Sequence, residues 1–335
     1  MYRKIKIIGV PMDFGQLHRG VDMGPAALRY TGLVSELRKL GYIVEDTGDV
    51  LVPVRDQGES EGYSKRKTSI LQPGADTEKS QQANDMENRR ESGSVKIHGS
   101  NQGGYLSAIT SVCERVYDAG RKAVEEDAFP LFLGGDHSIA MGTIGGVSHH
   151  SSIGVIWIDA HGDFNTSETS PSGNVHGMPL AALTGDGEHS LVNIGRKGMK
   201  IDPENVVLIG IRDLDSKEKV RLKKSGVTVY TMRDIDEQGI SAVTNKALMK
   251  FVHMKRIHIS LDMDAIDPVE APGVGTPVPG GLTYREAHLC MEIIADSGKL
   301  SSMDLVEINP ILDQANKTAR LAVNLAVSAL GKSIY

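Results

Sequence analysis

Apolar residues along this chain fall into short β-branched runs that alternate with longer stretches of helical period. The first run, Lys4-Ile5-Lys6-Ile7-Ile8-Gly9-Val10, stops at a proline, and a short run closed by Gly and Pro predicts a buried strand. Gly24-Pro25 then opens a stretch in which Ala27, Leu28, Leu33, Leu37 and Leu40 keep roughly helical spacing up to Gly41. That pattern predicts one helix over 24–41 with glycine as its stop, and a strand at 42–45 completes a β-α-β start. Further on, helices are expected at 106–125, 140–149, 217–225, 240–253, 284–296 and 318–330, and strands at 130–134, 154–159, 206–211, 227–231, 257–262 and 303–308. These strands are dense in Val, Ile and Leu, as strands covered by helices on both faces are. The alternation predicts an α/β fold, a single-domain doubly wound, mostly parallel eight-stranded sheet flanked by helices.

One interval breaks the rhythm. Between residues 55 and 104 only eight of fifty positions are apolar, against 40% for the chain, too few to offset the entropy of ordering. Because the β/α alternation on either side reads as one unit, residues 1–335 are expected to be a single domain, with 55–104 a polar, flexible surface insertion.

Composition narrows the function. The formal net charge is −6, from 37 Lys and Arg against 43 Asp and Glu, without the basic excess of a nucleic-acid-binding protein. Cys113 and Cys290 alone cannot form a disulfide framework. The early apolar run at 5–11 is too short for a signal or a membrane span. A cytoplasmic protein with no nucleic-acid or membrane partner is expected.

Ligands of open α/β sheets bind outside the carboxyl ends of the strands, and three predicted strand ends carry acids and histidines: Gly134-Gly135-Asp136-His137-Ser138, Asp159-Ala160-His161-Gly162-Asp163 and Asp262-Met263-Asp264. A single Asp or His at a strand end is more often a helix cap. Three at corresponding positions point to a shared site. Alternate residues face one side of an extended chain, so Asp159, His161, Asp163, Asp262 and Asp264 can converge from two strand ends, with His137 as a sixth group. Four carboxylates are too much charge to bury unpaired, and two divalent cations neutralise them. An oxygen and imidazole set without thiolate favours Mn²⁺ over a structural zinc site and leaves Zn²⁺, Co²⁺ and Fe²⁺ open. Paired cations activate water, so metal-assisted hydrolysis is implied.

These three segments, with Phe164-Asn165 and Ala265-Ile266-Asp267-Pro268 extending the second and third, resemble the signature motifs of the ureohydrolases, most of all bacterial-type arginases. The start Ile8-Gly9-Val10-Pro11-Met12-Asp13, the turn Arg19-Gly20-Val21-Asp22-Met23-Gly24-Pro25 and the ending Val306-Glu307-Ile308-Asn309-Pro310-Ile311-Leu312-Asp313 share the likeness. The resemblance implies an arginase/deacetylase-like sheet and two Mn²⁺ per subunit. His137, Asp159, Asp163 and Asp262 would hold one, and His161, Asp159, Asp262 and Asp264 the other. It implies hydrolysis of L-arginine to L-ornithine and urea by a hydroxide bridging the metals, in a homotrimer or homohexamer.

By the same resemblance, Asn165, Ser170, Ser172 and Asn174 would hydrogen-bond the substrate α-carboxylate, and Asp215 and Glu218 would take the α-ammonium. The spacing of those two acids also suits a capping box at a helix start, and both uses are compatible. His176 would be a proton shuttle, since an imidazole titrates near neutrality. Glu286 would anchor the guanidinium, a task a carboxylate performs with two parallel bonds; its plainer reading is a first-turn helix acid. Asp136 and Asp267 are expected to orient ligands or support the loops. Trp157 reads as core, the scattered methionines as packing, and His18, His149, His150 and His288 carry no usable pattern. The alternatives are an agmatinase or other guanidino hydrolase, disfavoured by the 165–174 loop, and a catalytically silent homologue, disfavoured by the intact ligand set.

Overall fold

The computed structural model describes residues 4–54 and 102–332. Residues 1–53 and 101–335 make up one compact unit, and residues 54–100 divide from it. The insertion expected at 55–104 therefore lies outside the described residues, apart from 102–104, which open a helix.

Eight strands form one sheet: β1 Lys4–Val10, β2 Ile43–Asp49, β3 Phe129–Gly134, β4 Gly154–Ile158, β5 Val206–Ile211, β6 Thr228–Thr231, β7 Ile257–Asp262 and β8 Leu300–Val306. Among the described residues eleven α-helices accompany them: α1 Gly24–Tyr30, α2 Leu33–Lys39, α3 Gln102–Glu125, α4 Ala140–Val147, α5 Pro179–Leu183, α6 His189–Val192, α7 Ser216–Ser225, α8 Met232–Gln238, α9 Ile240–Lys250, α10 Tyr284–Asp296 and α11 Lys317–Ala329. The sheet order is β2-β1-β3-β8-β7-β4-β5-β6. Every pairing is parallel, which tightens the expected "mostly parallel" to fully parallel.

The inner strands are buried along their whole length. Their side chains alternate between two cores, one on each face. Ile156, Ile158, Ile257, Ile259 and Leu261 join the first, and Val155, Trp157, Val206 and Leu208 the second. Helices cover both faces, which is why these strands read as continuous apolar runs rather than alternating ones.

Most element boundaries shift by a few residues from the sequence reading, and three of the differences have a local reason. The helix expected over 24–41 is two helices, because Gly32 takes φ +88 between them, a left-handed conformation that glycine adopts readily. The second strand runs to Asp49, where polar residues pair along an edge. The last strand ends at Val306 instead of 308, because Glu307 turns to φ +62. The short helices α5, α6 and α8 give too little periodicity to be read from sequence.

In sheet order β3, β8, β7 and β4 are neighbours at the centre. Their carboxyl ends deliver His137, Glu307, Asp262 and Asp159 to one place.

Candidate metal centre and active-site cavity

After β4 the chain passes Asp159, His161 and Asp163. After β3 a tight turn presents His137, and Asp262 ends β7 while capping the turn that carries Asp264. The His137 Nδ1 lies 3.2 Å from Asp159 Oδ2, 3.1 Å from Asp163 Oδ2 and 3.1 Å from Asp262 Oδ2. The His161 Nδ1 lies 3.4 Å from Asp159 Oδ1 and 3.0 Å from Asp264 Oδ2. Two groups of groups able to hold a cation result, His137 with Asp159 and Asp262, and Asp159 with His161 and Asp264. Asp159 belongs to both, with one oxygen turned to each histidine.

The donor set fits divalent cations in spacing and in charge. Two donors each about 2.1 Å from one ion stand roughly 3 Å apart at a right angle, which is the separation found. Burial pushes Asp262 well above the ordinary carboxylate range, and Asp264 and Asp159 add repulsion. Asp264 is raised by burial and by Asp159, and the same two causes bring Asp163 to about 6. Asp159 moves the other way, since His137 and His161 outweigh its burial. Both imidazoles are raised although burial opposes it, His137 by Asp159, Asp163 and Asp262, and His161 by Asp264 and Asp159. Acids forced up beside bases forced up are groups that hold protons where cations would serve them better.

Neighbouring bonds fix the cluster. The Trp157 Nε1–H donates to Asp159 Oδ2 at 2.9 Å, and its ring stacks on His137 with centroids 4.1 Å apart, so this core residue also orients two of the acid–histidine set. The His161 N–H donates to Asp159, the Ala160 N–H to Asp264, and the Thr276 hydroxyl to Asp264 Oδ2. Asp163 takes φ +48, left-handed backbone that costs a non-glycine residue about 1 kcal/mol and tends to sit at functional sites.

Above the cluster lies a cavity of about 140 Å³. His161, Asp163, Asp262, Asp264 and Thr276 line it, together with Asn165, Ser170, Ser172, Asn174 and His176, and the acids Asp213, Asp215 and Glu218. The 165–174 loop is held by its own side chains: Ser170 Oγ accepts from Gly173 N, Ser172 Oγ from Asn174 N, and Thr169 donates to Asn165. The Asn165 amide donates to Asp215 Oδ2 at 2.9 Å, joining the loop to the acids. Glu218 is buried. Its Oε1 accepts from Phe164 N at 2.8 Å and its Oε2 from Asp215 N at 3.3 Å, the latter half of the expected helix cap. Burial pushes Glu218 up to about 7 against those bonds.

His176 turns its Nδ1 to Glu307 Oε1 at 3.0 Å. The same oxygen accepts the His137 N–H at 2.9 Å, and Gln16 donates to the other oxygen. Burial lowers His176, but Glu307, Asp163 and Asp136 more than offset it, to about 9. Asp136 accepts from Gly15 N and from Ser138, and Asp267 from the backbone N–H groups of Val269, Gly280 and Gly281. Both acids brace the turns that follow β3 and β7.

Glu286 stands apart. Its Oε2 accepts from Thr283 N at 2.9 Å and Thr283 Oγ1 at 2.8 Å, closing a capping box at the start of α10, and it is not among the residues lining the cavity. The geometry is that of the plainer reading, a first-turn helix acid. The buried glutamate beside His176 is Glu307, which the sequence reading quoted only as part of a motif. No plain sequence signal marks it: the strand expected over 303–308 runs through Glu307, and only the break after Val306 makes it a strand-end acid. Asp213 and Thr276, on the cavity wall, had no such signal either.

A family model described as the arginase family matches residues 3–331. The arginase of Bacillus subtilis (strain 168) is 45% identical over 335 residues, covering 100% of both chains, and an arginase of Staphylococcus aureus (strain MSSA476) is 41% identical over 99% of this chain and 98% of its own. The crystal structure of arginase from Bacillus cereus superposes with a TM-score of 0.84 at 41% identity, covering 99% of this chain and all of the other.

Proposed function

The chain belongs to the arginase family of ureohydrolases, and on that premise we propose that it hydrolyses L-arginine to L-ornithine and urea in a cavity served by two Mn²⁺ ions. The observation that carries the reading is a pair of cation-binding groups sharing Asp159 beneath a cavity lined by both hydroxyl or amide donors and acids. An α-amino acid with a cationic head needs both.

His137, Asp159, Asp163 and Asp262 would hold one ion, and His161, Asp159, Asp262 and Asp264 the other. Bound there, the ions would lower the pKa of a water and supply the nucleophile. The remaining work falls to the chain. Asn165, Ser170, Ser172 and Asn174 would take the α-carboxylate and Asp215 with Glu218 the α-ammonium, so that the guanidinium end points at the acids of the cluster. With His176 Nδ1 engaged by Glu307, Nε2 is the nitrogen that exchanges protons with the cavity, and the imidazolium would protonate the departing ornithine amine. Glu307 would hold that charge in place, and Glu286, expected to anchor the guanidinium, would serve its helix cap instead. The assembly proposed is a homotrimer or homohexamer in the cytoplasm.

The test is urea release from L-arginine and, separately, from agmatine, with metal-free protein and after adding Mn²⁺. Release from L-arginine that depends on Mn²⁺ is expected. Release from agmatine alone would overturn the substrate assignment.

A further inference from the structure

Beneath the carboxylate cluster runs a chain of buried polar groups that the proposed chemistry does not use. On the paired strands β7 and β8, His258 stands opposite Ser302 and Ser260 opposite Asp304. All four are buried to within 1%, so each needs a partner inside the sheet. Their bonds run in one line toward the cluster. The Ser260 hydroxyl donates to Asp304 Oδ1 at 2.6 Å, and the His137 Nε2 lies 2.8 Å from Ser260 Oγ. The other Asp304 oxygen accepts from Thr143 Oγ1 at 2.6 Å and lies 3.0 Å from His258 Nε2, whose ring meets Ser302 through Nδ1.

The direction of the line follows from counting hydrogens. A hydroxyl carries one hydrogen, and an ionised carboxylate only accepts. Ser260 commits its hydrogen to Asp304, so toward His137 its oxygen can only accept. The hydrogen between them must belong to His137 Nε2. The Nδ1 is then left with its lone pair turned toward the Asp159, Asp163 and Asp262 oxygens, 3.1–3.2 Å away. Stacking against Trp157 sets the plane of the ring, but a ring face cannot decide which nitrogen carries the hydrogen. The Ser260–Asp304 pair can.

We propose that Asp304, acting through Ser260, is a positioning residue that fixes His137 with its hydrogen on Nε2 and its Nδ1 lone pair aimed at the cation position, and so sets cation affinity on the His137 side of the cluster. The inference rests on the proposed role of His137 as a cation ligand. In Asp304→Asn the oxygen serves only one of the two directions from which hydrogens arrive. With the amide N–H toward Ser260 the line loses its direction, and with it toward Thr143 and His258 the Ser260 hydrogen is held by a neutral acceptor in place of a carboxylate, a weaker bond.

The test is a Mn²⁺ titration of the full-length protein, with free ion followed by electron paramagnetic resonance. Ser260→Ala and Asp304→Asn are expected to weaken one of the two ions roughly 10- to 100-fold, as loss of an orienting partner does elsewhere, and to leave the other near its original affinity. Thr143→Val removes a buried hydrogen bond to the same carboxylate without touching the line to His137, and is expected to leave both affinities unchanged. Should Ser260→Ala and Asp304→Asn bind both ions as tightly as the parent protein, or should Thr143→Val weaken binding as much as they do, the proposal fails. A second measurement needs no folded variant of the line itself. In ¹⁵N-histidine-labelled protein loaded with diamagnetic Zn²⁺, the His137 resonance, identified by its loss in His137→Asn, is expected to show a directly bound, slowly exchanging proton on Nε2. A bare Nε2 overturns the proposal. Two ions bound at full affinity by His137→Asn would instead overturn the ligand role on which it rests.

Discussion

Replacing Glu307 with glutamine keeps the shape of the side chain beside His176 and removes its charge. At 3.0 Å and an effective dielectric constant near 20, the charge pair is worth about 5 kcal/mol before burial is set against it. The balance leaves His176 at about 9 against an ordinary 6.5, a net preference for imidazolium of about 3 kcal/mol at 1.36 kcal/mol per pH unit. Cations bound at the cluster would cancel the share that comes from Asp163 but not that of Glu307. Glutamine can still accept the Nδ1 hydrogen bond, yet it supplies no charge, so burial should carry His176 to 6.5 or below. If the imidazolium protonates the departing amine, turnover of the parent protein falls as pH rises through the His176 pKa, which the bound cations set below about 9. In Glu307→Gln that basic limb should move toward acid by up to about two pH units. The assay is urea release at saturating L-arginine from about pH 6 to pH 10, with bound Mn²⁺ measured for both proteins.

The same shift has a stability consequence of fixed sign. A histidine raised on folding contributes stability that is complete below 6.5 and lost as pH rises through about 9. Denaturant unfolding should therefore find Glu307→Gln weaker by up to about 3 kcal/mol at pH 6 and closer to the parent protein at pH 10. A basic limb at the same pH in both proteins would refute the reasoning, whatever the fall in kcat.

Three further outcomes follow from the geometry. Glu286→Ala should lose the capping box of α10 and about 1 kcal/mol of stability in denaturant unfolding, with kcat and the basic limb within about twofold of the parent; a collapse of kcat with stability intact would return Glu286 to the cavity. Because burial holds Glu218 at about 7, its carboxylate is charged only above that pH, so KM for L-arginine should rise as pH falls through 7, and Glu218→Gln should show a high KM that no longer changes there. Asp159→Asn removes an acid shared by both cation groups and should abolish binding of both ions in a Mn²⁺ titration, whereas Asp163→Asn, whose carboxylate lies beside His137 and away from His161, should spare the ion on the His161 side.

The regular part of the fold was legible because its strands are buried on both faces. β5 and β7 and helix α10 fall where periodicity predicts them, since a fully covered strand or a strongly amphipathic helix leaves few other readings of its apolar residues. The acid and histidine cluster was legible for a related reason: acids and histidines directly following such runs have no plain structural use in threes. What sequence did not show was conformation set by one residue. Gly32 splits a helix whose apolar spacing continues across the break, and the edge strand β2 pairs through polar residues whose pattern says nothing about pairing.

Glu286 and Glu307 show where motif reading and physics part. Both are glutamates in segments that resemble the family. Glu286 sits three residues after a threonine at a helix start, and Thr-x-x-Glu is by itself a sufficient reason for a glutamate, which the bonds to Thr283 then satisfy. Glu307 has no such local reason. It follows strand β8, takes a left-handed backbone at φ +62 and is almost wholly buried, and the last two are costs that only a tertiary partner offsets. Those partners are unreadable in sequence order, because β8 comes last in the chain yet lies between β3 and β7 in the sheet. That insertion brings the carboxylate against the His137 backbone and the His176 ring at once. One acid thus ties the position of His137, proposed to hold a cation, to the charge of His176, proposed to transfer the proton, and this is why charge, and not bulk, is the property of Glu307 to change.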